Sequence, residues 1–168
     1  MVDGGDDDIN GGSDDPGNPA YWLRGLEEAA VPFDGFEAEP LESYAGLFQS
    51  VLAHYGHRCA LTGLAAEAES AHSRLEVTPL RPRDAGGSLQ ASNFLCLSTE
   101  AHRAFEAGHL TIGPGYEIIV DLSRLERELL TRLNPDGRLA LPSDPEAAPD
   151  PEGLAFHRMQ VFMRASAQ

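Results

Sequence analysis

The chain has 168 residues, enough for one domain that buries a hydrophobic core. Its hydrophobic fraction of 42% is typical of globular proteins, and no apolar run approaches the ~20 residues of a membrane-spanning helix. The N-terminus carries neither the basic patch nor the apolar stretch of a secretory signal. Composition therefore argues against a membrane partner, and we expect a cytoplasmic protein.

The net charge of −15 is unevenly distributed. Residues 1–50 hold twelve acids and one arginine, whereas residues 51–110 hold six acids and five arginines. A protein this acidic is expected to bind duplex DNA weakly, because counterion release needs clustered cations. DNA as a partner is therefore disfavoured by charge, and a protein partner stays open.

The first forty residues differ in composition from the rest of the chain. Residues 1–20 are almost entirely Gly, Asp, Asn, Ser and Pro, which predicts a disordered acidic tail. Such a tail is either a solubilising leader or a phosphate mimic that docks on a partner. Residues 21–40 show no clear period and are interpreted as an irregular lead-in. The folded domain is predicted to span residues 41–168.

Hydrophobic periodicity predicts an α+β domain. The first elements, in chain order, are a helix over 41–55, a strand over 75–80, a loop over 81–92, a strand over 94–97 and a helix capped by Ser98 that runs to about residue 107. A hairpin follows, with arms over 110–112 and 116–120 that flank Gly113-Pro114-Gly115. Leucines with helical spacing then predict a helix over 122–133, before a loop or linker over 134–153 and a last helix over 154–164. The cysteines Cys59 and Cys96 fit no zinc spacing and are predicted to be buried free thiols.

The middle and C-terminal segments resemble one family. The segments are Y-G-H-R-C-A-L-T-G (55–63), L-R-P-R-D-A-G-G (80–87), S-N-F-L-C-L (92–97), H-R-A-F-E-A-G (102–108), G-R-L-A-L-P (137–142) and P-D-P-E-G-L-A-F-H-R-M-Q-V-F (149–162). In order and spacing they are similar to the bacterial restriction endonuclease branch of the HNH superfamily, from about residue 41 to 162. The resemblance implies a ββα-metal (HNH) motif with flanking helices and a β-hairpin.

The resemblance also implies roles for single residues. In that family the first strand ends in a histidine that deprotonates the attacking water, an asparagine pins the loop, and a helix histidine helps hold a divalent metal such as Mg²⁺ or Mn²⁺. By position, Asn93 takes the loop-pinning role and His102 the metal role. Pro79 stands where the first histidine is expected, and proline has no group that could serve as a base.

Other residues could supply part of what Pro79 removes. His72, in a polar stretch, and His157, on an otherwise apolar helix face, are candidate substitutes for the base. For each, the favoured interpretation is a surface histidine or a core histidine whose hydrogen bonds are satisfied. Four arginines lie near the motif in sequence and could contact phosphate or be solvated surface charges: Arg74, Arg81, Arg83 and Arg103.

Three functions remain open from the sequence. The chain is a metal-dependent DNA endonuclease with a relocated base or a metal-bound hydroxide, a catalytically inactive HNH-fold binding or regulatory module, or an acidic partner protein. The proline at position 79 and the charge favour the last two, while Asn93, His102 and the motif spacing favour the first. Fold-level similarity alone cannot decide activity.

Overall fold

The first described element is a helix that packs one face into the core. A computed structural model describes residues 41–65 and 74–168; the predicted tail, the lead-in and His72 lie outside the described residues. Helix α1 spans Leu41–His54, as the periodicity predicts, and its inner face includes the fully buried Val51. Gly56 follows with a φ of 59°, a left-handed conformation that ends helices at low cost in glycine. The described residues belong to one compact unit.

Two short strands make the first antiparallel sheet. Strand β1 spans Leu75–Pro79 and strand β2 spans Phe94–Ser98, with Leu75 opposite Ser98 and Pro79 opposite Phe94. The backbone N–H of Leu80 donates to the Asn93 carbonyl, so the adjacent pair, Pro79 with Phe94, is a non-hydrogen-bonded pair of the ladder. Proline therefore ends β1 without removing a ladder hydrogen bond.

Helix α2 follows β2 directly and spans Thr99–Glu106. The Ser98 hydroxyl accepts a hydrogen bond from the backbone N–H of Ala101, at 3.4 Å, which is the predicted N-cap. The helix buries Ala101, His102, Ala104 and Phe105 against the sheet. Strand, strand and helix thus occur in the order that the sequence predicts.

A second antiparallel sheet pairs β3, Leu110–Ile112, with β4, Ile118–Val120. The predicted hairpin is present, but its second arm begins later than residue 116. Tyr116 adopts a φ of 64°, and the Glu117 carboxylate accepts the backbone N–H of Gly115 at 2.8 Å. These residues belong to the turn.

The helix predicted over residues 122–133 is shorter than expected. Helix α3 spans only Arg127–Arg132. The Asp121 carboxylate accepts hydrogen bonds from both the backbone N–H and the hydroxyl of Ser123, and this local turn competes with helix formation. Leu122 is consequently 72% exposed, although the helical spacing of the leucines had placed it in the helix.

The last helix starts earlier than predicted, inside the segment interpreted as a linker. Helix α4 spans Pro151–His157, continues as a π-helical turn over Arg158–Phe162 and ends in α5, Met163–Ser166. The Asp150 carboxylate caps it by accepting the backbone N–H of Gly153 at 2.8 Å. An aspartate followed by proline at the first helical position was the sequence signal for this start.

The core is shared by α1, both sheets and α2. Cys59 and Cys96 are both buried, free and fully enclosed in it, as predicted. Burial raises the pKa of the Cys96 thiol to about 12, so it stays protonated and inert at neutral pH. Among the described helices, none has the length and apolar character needed to cross a membrane.

Candidate functional site

Asn93 fastens the loop between β1 and β2. Its side-chain carbonyl accepts the backbone N–H of Arg81 at 3.1 Å. Its amide donates to the carbonyl of Arg81 at 3.0 Å and to that of Ser88 at 2.9 Å. Asn93 is 5% exposed, so these three bonds are shielded from water. The side chain therefore ties both ends of the loop to the start of β2.

Gly87 lies against the same fastening point. A Cβ added there would lie 1.8 Å from the carbonyl oxygen of Arg81 and 2.9 Å from the amide nitrogen of Asn93. The backbone can approach this closely only because residue 87 has no side chain. The loop conformation thus depends on the glycine and the asparagine together.

His102 faces β1 from the buried side of α2. Alternation along the strand puts Glu76 and Thr78 on one face, and that face meets His102. The Nδ1 atom of His102 shares a 2.5 Å hydrogen bond with the Thr78 hydroxyl. His102 is 4% exposed and Thr78 is 1% exposed. Strand β1 therefore holds the His102 ring through Thr78, the residue that precedes Pro79.

Two carboxylates converge on the other ring nitrogen. The Nε2 atom of His102 lies 3.1 Å from Oε2 of Glu76 and 3.2 Å from Oε2 of Glu106. Glu106 is one helical turn beyond His102, so the two side chains share a face of α2. Glu76 is buried within the sheet, whereas the Glu106 side chain is 52% exposed. The cluster therefore reaches the surface through Glu106.

The Glu76 oxygen is close to His102 without a hydrogen bond to it. Its Oε2 atom is buried and has no partner with hydrogen-bond geometry, although Nε2 is within ion-pair distance. A ring nitrogen offers one in-plane direction, either a lone pair or an N–H, and cannot serve two carboxylates at once. A buried carboxylate oxygen without a donor is costly. A positively charged group near this oxygen would offset the cost.

The family resemblance noted in the sequence implies a divalent metal held in part by His102. Within residues 41–65 and 74–168, no three histidine, cysteine, aspartate or glutamate side chains are arranged to hold a metal ion. The donor chemistry of the His102 cluster nevertheless suits one, since imidazole and carboxylate are both common ligands.

His157 is placed in the core, with both ring nitrogens engaged. Its Nε2–H donates to the carbonyl of Phe105 at 2.8 Å, and its Nδ1 accepts from the Thr111 hydroxyl at 2.7 Å. The ring stacks on that of Phe105 with centroids 3.5 Å apart. Burial lowers the pKa of His157 to about 4, so the ring is neutral near pH 7. A histidine held this way has no nitrogen available to deprotonate water.

The lowered pKa of His157 predicts a loss of stability in mild acid. The unfolded chain takes up the proton near pH 6.5 and the folded chain only near pH 4, so the free energy of unfolding falls by about 3 kcal/mol across that window and is unaffected above it. Urea unfolding at pH 7.5 and pH 4 measures this loss. His157→Gln should lose less than wild type over the same interval, whereas His57→Asn, at an exposed histidine, should lose as much as wild type. Equal losses in all three proteins would contradict the assignment.

The four arginines differ in their exposure and in their contacts. Arg81 is committed to the loop: its Nε donates to the Ala85 carbonyl at 2.5 Å and its guanidinium lies over the Phe156 ring, 5.4 Å from the centroid. Arg74 is exposed before β1, Arg83 is half-buried in a short 3-10 turn, and Arg103 is exposed on α2. Phosphate contact by these residues stays a prediction.

Three residues of the cluster were missed by sequence reasoning. Glu76 and Thr78 are two positions apart on a strand, and Glu106 is four positions after His102 on a helix. Both spacings place side chains on one face of their element. The signal was available once the strand and helix were predicted to pack together.

Comparison with known proteins identifies a fold class. No protein-family model and no curated protein matches the chain. Among solved structures, one match is a "Modification dependent TagI restriction endonuclease", at 25% sequence identity and a TM-score of 0.55. The match covers 70% of this chain and 38% of that enzyme's chain, so the chain spans well under half of its length. The chain therefore has a nuclease-like α+β fold.

Proposed function

We propose that the chain is an HNH-type nuclease domain that hydrolyses DNA phosphodiester bonds slowly, with a divalent metal at His102 and without a base at the end of β1. The observation that carries the proposal is the cluster at His102, where an imidazole and two carboxylates converge beside the strand pair. Similarity to a restriction endonuclease supports nuclease chemistry at a coarse level. The modification dependence in that enzyme's name is not carried over, since this chain covers 38% of it.

Each residue has a defined task in this proposal. Asn93 holds the loop that precedes β2, and Thr78 fixes the His102 ring through Nδ1, leaving Nε2 directed at the carboxylates. When bound, a divalent cation would offset charge on the scissile phosphate and the leaving oxygen. Without a cation, the two carboxylates would repel a phosphate.

Pro79 limits the rate. A positioned general base typically contributes about 10²- to 10⁴-fold, and proline supplies none. His157 does not replace it, because both its nitrogens bond to core groups. The net charge of −15 further weakens association with DNA. The expected enzyme is therefore slow and sensitive to salt.

A second candidate function is a binding or regulatory module that does not cleave, and the specific observation that favours it is Pro79 itself. A module of this kind would keep the strand pair, the loop and the helix, and would bind nucleic acid or a protein partner without chemistry. The two candidates differ in one measurable property, namely cleavage that depends on His102.

We expect wild type to nick supercoiled plasmid in Mn²⁺ or Ni²⁺ and His102→Ala to lose at least about tenfold of that rate, because the cation loses its nitrogen ligand. The assay is gel quantitation of nicked plasmid at low salt, with Mg²⁺, Mn²⁺ and Ni²⁺ and with plasmid prepared with and without cytosine methylation. His57→Asn serves as the control for replacing an exposed histidine. Equal rates for wild type and His102→Ala would reject the nuclease proposal and leave the non-cleaving module.

A further inference from the structure

We propose that residues 150–166, the C-terminal strap, hold the loop between β1 and β2 at a fixed distance from helix α2, so that detaching the end of the strap from α2 loosens the loop. The strap comprises α4, the π-helical turn and α5. Because His102 lies on α2 and Pro79 adjoins the loop, this distance belongs to the candidate site. The inference rests on the proposed function for the role of that site, and adds how its two parts are held together.

The strap begins against the loop. The backbone N–H of Asp150 donates to the Ser92 carbonyl at 2.8 Å. A Cβ added at Gly153 would lie 3.0 Å from the Cβ of Leu80 and 3.5 Å from the side-chain oxygen of Asn93. Only a residue without a side chain allows helix and loop to approach this closely. Helix α4 therefore packs directly on the residues that fasten the loop.

The middle of the strap is attached to α2 and β3. His157 donates from Nε2 to the carbonyl of Phe105 at 2.8 Å, and the two rings stack. The next residue, Arg158, donates from its guanidinium to the Ile112 carbonyl at 2.9 Å. Phe105 lies within one helical turn of His102 on α2. The strap is thus bonded to the helix that carries His102.

The end of the strap lies against Gly108, just after α2. A Cβ added at Gly108 would lie 2.8 Å from both the Cβ of Ala165 and the carbonyl oxygen of Val161. Gly108 has a φ of 70°, a conformation that glycine adopts without strain. Loop, α2 and the segment after α2 are therefore all in contact with one continuous strap.

The π-helical turn over Arg158–Phe162 allows one helical segment to make both of its last contacts. His157 and Ala165 would point about 80° apart on an uninterrupted α-helix, because 3.6 residues complete a turn. A π-helical turn contains more residues, since its hydrogen bonds run from i to i+5, and so takes up this offset. Removing one residue from the turn should therefore rotate Ala165 away from Gly108 while His157 stays in place.

Amide hydrogen exchange of the full chain, resolved by NMR, tests the inference. Deletion of Gln160, an exposed residue of the π-helical turn, should accelerate exchange of two amides at least about tenfold relative to that of Tyr55, at the end of α1. One is the His109 amide, which closes the end of α2. The other is the Arg81 amide, which donates to the Asn93 side chain in the loop.

Two further variants make the test specific. Met159→Ala changes a side chain of the same turn that is 56% exposed, and should exchange as wild type does. Ala165→Arg keeps the π-helical turn and places a large side chain against Gly108, so it should detach the end of the strap. If the protein with Gln160 deleted does not fold, as judged by circular dichroism, Ala165→Arg decides.

The outcomes separate this inference from the proposed function. Faster exchange at His109 with unchanged exchange at Arg81 would overturn the inference, because the loop would then be held independently of the strap. Unchanged exchange at both amides would also overturn it. Faster exchange at both would support it even if no plasmid is nicked, in which case only the proposed function fails.

Discussion

Pro79→His is expected to accelerate metal-dependent nicking of plasmid DNA about 10²- to 10⁴-fold, the usual contribution of a positioned general base. Residue 79 ends β1 and directly follows Thr78, whose hydroxyl bonds to His102. An imidazole at this position has a pKa suited to accepting a proton near neutral pH. The backbone tolerates the exchange, because the pair with Phe94 is not hydrogen-bonded.

The measurement is the initial rate of nicking at saturating protein in Mn²⁺. Pro79→Gln is the control, since it also replaces the proline ring but supplies no base. The double variant Pro79→His with His102→Ala should nick plasmid at least about tenfold more slowly than Pro79→His alone, because the cation ligand is then missing. A nicking rate for Pro79→His no greater than that for Pro79→Gln would show that a histidine at position 79 does not act as the general base.

Gly87→Ala is expected to lower the free energy of unfolding by about 3–5 kcal/mol, at the upper end for single substitutions. The new methyl group would lie 1.8 Å from the Arg81 carbonyl oxygen, and backbone must move to relieve the clash. That carbonyl accepts a hydrogen bond from Asn93, so the same movement breaks the fastening of the loop. Urea denaturation measures the loss.

Gly46→Ala is the matched control for this change. Gly46 lies in α1 with no heavy atom within 4 Å of an added Cβ, so alanine should stabilise the helix by about 0.5–1 kcal/mol. The two alanine variants should therefore shift stability in opposite directions. Loss of less than about 1 kcal/mol in Gly87→Ala would contradict the close packing described for the loop.

The local elements around the site were predictable because their signals are local. Ser98 at the start of α2, the apolar runs of β1 and β2, and the tolerance of Pro79 at a strand end each follow from the sequence within a few residues. The helix over 122–133 was overpredicted, because the turn made by Asp121 and Ser123 outweighed the leucine spacing. Helix propensity is overridden where a side chain competes for the backbone hydrogen bonds of the helix.

The site itself was predictable only in part. Asn93 and His102 were found through a family resemblance, and Asn93 indeed bonds to the loop. The carboxylates of Glu76 and Glu106 were missed, because their convergence on His102 depends on how α2 packs against β1. The partners of His157 were also beyond sequence reasoning, since Phe105 and Thr111 lie about fifty residues earlier in the chain. Long-range packing therefore decides which groups surround each histidine.

The central claim is a cation site at His102 in a nuclease-like fold, and a crystal of the full chain soaked in Mn²⁺ tests it most directly. Anomalous diffraction should show a peak within about 2.5 Å of His102 Nε2. The peak should be absent from crystals of His102→Ala. A map with no anomalous peak at His102, under conditions where Mn²⁺ binds elsewhere on the chain, would contradict the account.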